Sequence, residues 1–170
     1  MRMDRQQALT ADELIQGTTV DELAKIIHDY GEEPYMNAKR IAELIIAHRP
    51  YETTEALAQL LAENHRGKWG HIHPATRTFQ SLRIAVNDEL GQIERTLPLL
   101  PQLLSKDGRV GVISFHSLED RLVKRFFKEQ FENGLEAELL PVTKKPIPGA
   151  TEDVHNPRSR SAKLRVAVKK

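Results

Sequence analysis

The chain has 170 residues, 39% hydrophobic and 29% charged, enough for one domain with a real core or for two small ones. Its 25 Lys and Arg against 24 Asp and Glu give a formal charge of +1, so no overall field draws it to a polyanion; any such attraction must come from local clusters. It has no cysteine, which excludes disulfides and thiolate metal sites and makes a reducing cytoplasm the expected compartment.

The opening MRMDRQQALTADE has no apolar run of signal-peptide length. No segment approaches the ~20 apolar residues that span a bilayer, so no membrane partner is expected. Thr10-Ala-Asp-Glu13 and Thr19-Val-Asp-Glu22 each place a threonine at a helix start and a glutamate three residues on, the capping-box pattern. The second predicts a helix with Val20, Leu23, Ala24, Ile27 and Tyr30 on one face, terminated at Gly31. A third helix is predicted from about Tyr35 to His48, with Ala38, Ile41, Ala42 and Ile45 inward and Pro50 as its stop. A fourth starts at Thr53 or Thr54 and buries Leu57, Leu60 and Leu61. Residues 1–64 thus read as a small all-helical unit.

Residues 65–87 hold Arg66, Lys68, Arg77 and Arg83, Trp69 among them, and no acid. Gly67, Gly70 and Pro74 mark the first part as a loop. Phe79, Leu82, Val86, Leu90, Ile93, Leu97 and Leu100 then follow at steps of three and four, a core-packed helix with a break expected near Thr96. Lys106-Asp-Gly-Arg109 is a turn. Val110–Phe115 reads as a buried parallel strand and Ser117 as the cap of a helix burying Leu118, Leu122, Val123 and Phe126. Glu136–Val142 is a second strand candidate. Ser161–Val168 alternates Ala162, Leu164 and Val166 against Lys163, Arg165 and Ala167, as a half-exposed last strand does. Helix, turn, strand and helix give the rhythm of an open α/β sheet.

In such a sheet, ligands lie outside the carboxyl ends of strands, where His116 and Ser117 stand. The helix behind them offers free N–H groups to an anion, and Arg121, Lys124, Arg125 and Lys128 make it basic. His116 and Ser117 are therefore candidates to line a pocket; otherwise they merely cap the helix and satisfy the backbone. Arg77 and Arg83 are candidate phosphate contacts, or partners of Asp88 or Glu89. Arg121, Lys124 and Arg125 grip RNA or form a solvated face. Arg158, Arg160, Lys163 and Arg165 are the densest basic run without an acid, for RNA contact or for anchoring the last strand. Trp69 stacks on a base or plugs a gap. His65, His71 and His73 have no thiolate companion and sit in a Gly/Pro loop, which argues against zinc. Ser114, His116 and Glu119 are too close in sequence for a hydrolytic triad.

The stretches ISFHSLEDRLVKRFF, HPATRTFQSLRIAVNDEL, TKKPI and NPRSRSAKLR, with MRMD, DYGEE and RPYETTEAL, closely resemble the bacterial 16S ribosomal RNA cytosine-N4 methyltransferase family (MraW-like). The resemblance covers nearly the whole chain. It implies a Rossmann-like, class I methyltransferase sheet with an inserted helical substrate-recognition domain, S-adenosylmethionine as methyl donor, and the small ribosomal subunit as partner. Residues 5–73 would be the insert and residues 74–170 the C-terminal part of the catalytic domain. In the family, MRMD lies well inside the protein, after the glycine-rich cofactor loop. Gly108, Gly111 and Gly134 do not replace that loop. The chain alone is therefore expected to bind no S-adenosylmethionine, to be inactive, and to self-associate through an uncovered sheet edge. The alternatives are a non-catalytic RNA-binding module and a protein-interaction piece.

Overall fold

The computed structural model describes the chain except Arg5, Lys68, Trp69, His71 and Val154. It forms two compact units, Met1–Glu89 and Leu90–Lys170.

The first unit is helical: α1 (Ala11–Gly17), α2 (Val20–Gly31), α3 (Tyr35–Ala47), α4 (Thr54–Glu63) and α5 (Thr76–Asn87). Both capping boxes form. The Thr10 hydroxyl accepts the Glu13 N–H at 3.1 Å, and the Glu13 carboxylate accepts the Thr10 N–H at 2.8 Å. Thr19 and Glu22 repeat the exchange. These backbone hydrogen bonds hold the Glu13 and Glu22 carboxyls below the usual carboxylate range. Leu23, Ala24 and Ile27 of α2 meet Ala38, Ile41, Ala42 and Ile45 of α3 and Leu82 of α5 in one core. Burying each of the larger of these side chains contributes about 1.5–3 kcal/mol.

Gly31 does not end α2 by a left-handed turn. Glu32 takes that conformation, at φ 51°. Gly31 is instead buried where a Cβ would stand 3.0 Å from the Arg77 carbonyl oxygen, so its bareness sets the approach of α2 to α5. The long helix expected after Pro74 does break at Thr96, and it breaks once more before that: Asp88, at φ 48°, separates α5 from α6 (Glu89–Thr96). Because α5 packs on α2, residues 76–87 lie in the first compact unit, which ends at Glu89.

The second unit takes in most of α6, a 3-10 turn at Leu97–Leu99, α7 (Leu100–Leu103), β1 (Arg109–Ser114), α8 (Ser117–Glu132), β2 (Leu139–Pro141), β3 (Ile147–Pro148), α9 (Gly149–Glu152) and β4 (Lys163–Lys169). The sheet order is β1-β4-β2, with β3 also on β4. All of these pairings are antiparallel. Val110–Ser114 is therefore not a buried parallel strand in this chain. Among the described residues β1 pairs only with β4, and its other edge is open.

Strand β4, last in sequence, is central in space. On one face, Ala167 of β4, Leu139 of β2, Val110 and Val112 of β1 and Val123 and Phe127 of α8 share a core. The inward residues of β4 are Arg165 and Ala167, the reverse of what its apolar alternation predicts. Arg165 can point inward because Asp120 meets it there. On the opposite face Ile113 pairs with Leu164, and Ile113 and Phe115 stay 59% and 55% exposed.

The connection before β4 is a tight loop. The Gly149 N–H donates to the Ala162 carbonyl at 2.8 Å, and a Cβ at Gly149 would collide with the Ser159 carbonyl oxygen. Among the described residues, no helix is long and apolar enough to cross a membrane.

Candidate functional site

Strand β1 delivers Ser114, Phe115 and His116 to the start of α8. His116, not Ser117, is the N-cap: its Nδ1 accepts the Glu119 N–H at 3.4 Å, and the Glu119 carboxylate accepts the backbone N–H groups of Phe115 at 2.7 Å and His116 at 3.2 Å. Ser117 is the first helical residue and is exposed. Since Nδ1 accepts, a neutral His116 carries its proton on Nε2. That nitrogen lies 3.4 Å from Glu119 Oε1 but off hydrogen-bond geometry, and it is buried without a partner. The Ser114 hydroxyl is likewise buried and unpartnered. Two unsatisfied polar atoms thus lie two residues apart at the carboxyl end of one strand. Buried polar atoms are almost always paired, so such atoms mark a place that expects a ligand, water or missing neighbour.

One turn into α8, Asp120 anchors β4. Arg165 Nε donates to its Oδ1 at 2.7 Å and Arg165 Nη2 to its Oδ2 at 3.2 Å, with Lys163 Nζ at 3.5 Å. Burial would raise the Asp120 carboxyl, but the Arg165 hydrogen bonds and charge, with Lys163, outweigh it and hold the group below the usual range. Arg165 is therefore structural here, and Lys163 leans the same way while half exposed. Of the basic run, Arg158 and Arg160 stand exposed on the loop before β4.

The remaining cations divide. On α8, Arg125 is shared between Glu94 at 3.3 Å and Glu129 at 3.9 Å, while Arg121 and Lys124 are exposed. In the helical unit, Arg83 makes a bidentate pair with Glu89 at 2.7 and 2.9 Å. Arg77 pairs at 3.2 Å with Glu33, an acid 44 positions away that sequence spacing does not suggest. His73 Nδ1 accepts the Ala75 N–H at 3.2 Å, a local turn contact. Trp69, Lys68 and His71 lie outside the described residues. Sequence reasoning singled out neither the unpartnered Ser114 hydroxyl nor the Asp120–Arg165 pair. The inward arginine had one signal, its strict alternation with Ala167.

One helical unit and one unit built on an antiparallel sheet, with two unpaired polar atoms where a strand meets a capped helix, define a mixed α/β protein. The sequence pattern of the MraW methylase family matches residues 1–170, and the chain belongs to that family. It is 51% identical to a protein of Synechocystis sp. over 99% of this chain and 54% of that one. It is 50% identical to one of Crocosphaera subtropica (100% and 52%) and 43% identical to one of Dehalococcoides mccartyi (98% and 51%). Each relative is named ribosomal RNA small subunit methyltransferase H. The chain spans about half the length of these relatives.

The family is one of methyltransferases, which implies S-adenosylmethionine as methyl donor. The described residues do not fit that molecule as a complete holder. Gly108, Gly111 and Gly134 lie in a turn, a strand and a helix end rather than in one phosphate- or ribose-cradling loop. Two unpartnered atoms at the β1 corner are too few for a ribose, a carboxylate and an ammonium group.

Proposed function

We propose that this chain supplies the RNA-handling side and one wall of the base pocket of a small-subunit rRNA methyltransferase. The target is the exocyclic N4 of a cytosine in the decoding region of 16S rRNA. A cytosine amino group is a weak nucleophile because its lone pair is delocalised into the ring. Holding it in line with a methyl donor supplies about 7–11 kcal/mol of the barrier. Unstacking the base first costs a few kcal/mol, so the RNA flanking it must be gripped.

In this reading His116 and Ser117 line the base pocket, and the orphaned Ser114 hydroxyl belongs to the same wall. Arg158, Arg160, Arg121 and Lys124 are exposed cations for phosphates, joined by Lys163 and by Arg77, Arg83 and Arg125 where RNA displaces their carboxylate partners. The helical unit is the substrate-recognition part. The sheet is the closing part of a Rossmann-like sheet, whose cofactor-binding strands belong to the half of the relatives' length that this chain does not match.

The observation that carries the reading is the corner itself: two buried, unpaired polar atoms at the end of a strand whose outer edge is open. The test is calorimetry with S-adenosylmethionine, then methyl transfer to small ribosomal subunits. It is run on this chain and on a chimera joining it to the unmatched part of the Synechocystis relative. The chimera binds and methylates; the 170-residue chain does neither. Micromolar binding by the chain alone would overturn the reading. The open edge and the exposed Ile113 and Phe115 also favour a second reading, a protein-interaction piece that pairs with its own copies; concentration-dependent dimerisation that persists in the chimera would select it.

A further inference from the structure

We infer that the outer side of α3 is a single-stranded RNA subsite, with Tyr35 and Met36 as a stacking platform and Lys39, Arg40 and Arg66 as phosphate partners. The inference rests on the RNA-handling reading above. Two adjoining clefts flank α3 in the helical unit, one of about 360 Å³ and one of about 620 Å³, and they share Asn37 and Arg40 as a common wall. In the larger, Met36 is 79% and Tyr35 44% exposed. The Tyr35 ring is braced edge-on by His28, with ring centres 5.8 Å apart, so it is held with a face available.

The charge around that platform is only partly cancelled. Arg77, Arg83 and Arg165 all meet carboxylates. Arg40 instead donates to two neutral oxygens, Asn37 Oδ1 at 3.1 Å and the Asn64 carbonyl at 3.0 Å. Arg66 is exposed, and its side chain makes no hydrogen bond or ion pair among the described residues. Lys39 pairs with the exposed Asp21 at 3.2 Å, with Glu43 acting on it more weakly. Among the described residues that line the larger cleft, Glu43 is the single acid against three cations. An exposed aromatic among cations that are only partly cancelled is what an unpaired base with its flanking phosphates requires: the ring takes the base, and the cations take the backbone. A duplex offers no such base face.

The test is fluorescence anisotropy of this chain with a labelled, short single-stranded oligoribonucleotide and with its duplex, across a salt series. Arg66→Gln, whose side chain has no partner to lose among the described residues, should reduce the single-strand salt slope by about 0.7. Tyr35→Ala should weaken single-strand binding about tenfold, and Tyr35→Phe should restore it, because the ring rather than the hydroxyl carries the stack. Unchanged affinity and slope in both Arg66→Gln and Tyr35→Ala, with the wild-type chain still binding RNA, would overturn the subsite and leave the broader reading standing. No salt-dependent RNA binding by the wild-type chain would overturn both. A Tyr35→Phe protein as weak as Tyr35→Ala would overturn the stacking role.

Discussion

Replacing Asp120 by Ala tests whether the sheet is held by a buried charge pair. The Asp120 and Arg165 side chains are only 12% and 9% exposed and share two hydrogen bonds. Removing the carboxylate leaves the guanidinium uncompensated beside the Ala167 core, a loss of about 3–5 kcal/mol. Replacing both partners, Asp120→Leu with Arg165→Met, removes the stranded charge and should recover most of that loss. The pair also sets an acid limit. The Asp120 carboxyl is held below its usual range, so its contribution is complete above the pH at which the unfolded carboxyl ionises, about 4. It fades as pH falls further, through the lower folded value. Amide hydrogen exchange read on β1 and β4 is the suitable assay, because a chain of two units need not unfold in one step. A cost below about 1 kcal/mol for Asp120→Ala, the range of an exposed pair, would refute the argument. So would a double variant no more stable than the single one.

Leu23→Ala, at a fully buried position in the helical core, should cost about 2–5 kcal/mol in urea unfolding followed by circular dichroism; a much smaller loss would mean that the core collapses around the gap. Gly149→Ala should open the loop before β4, because its Cβ meets the Ser159 carbonyl; faster tryptic cleavage after Arg158 and Arg160 is the expected sign. Ile113→Lys lies on an open face and should change the stability of this chain by no more than about 0.5 kcal/mol while reducing any self-association seen by light scattering; a loss above 2 kcal/mol would show that face to be covered. Ser114→Ala removes an unpaired buried hydroxyl and should leave stability unchanged or raised in the same unfolding assay; a clear loss would reveal a hidden partner.

The helical unit was legible because its signals are local. Capping threonines, a glutamate three residues on and a 3.6-residue apolar period all act within one or two turns, and α1–α4 form where those signals stand. The break at Asp88 was not legible, since nothing in DELG forbids a helix, yet Asp88 takes the left-handed conformation there. The sheet was legible as strands but not as pairings. Val110–Phe115 has the run of β-branched residues common in parallel sheets, yet its partner here is β4, 59 positions later at Arg109↔Val168 and antiparallel. The identity of a neighbour is non-local and leaves no mark in the strand itself.

Of the candidate corner, the spacing assigns the cap to Ser117, whereas the imidazole of His116, one residue earlier, takes the capping position. The basic run before the end of the chain also separated by geometry. Strand alternation turns Arg165 to the face that α8 covers, while Arg158 and Arg160 precede the strand and remain with solvent. Charge counting treats all four as equivalent; only the pleat tells them apart.

A stable fold has no reason to leave two polar atoms buried and unpaired two residues apart, one on the last residue of a strand and one on the cap of the helix that follows. Each costs on the order of 1–3 kcal/mol, and an alanine at 114 would avoid one of them. The same corner contains a fully satisfied network one turn further on, at Asp120, so the local backbone does not prevent pairing. What distinguishes Ser114 and His116 is position: they lie at the strand end beside the open edge, whereas Asp120 lies over the closed centre of the sheet. Strain or cost concentrated at the unfinished boundary of a fold is best explained by what completes that boundary. The chain spans about half the length of its relatives, and under the proposed reading the element that completes this edge is also the one that brings the methyl donor.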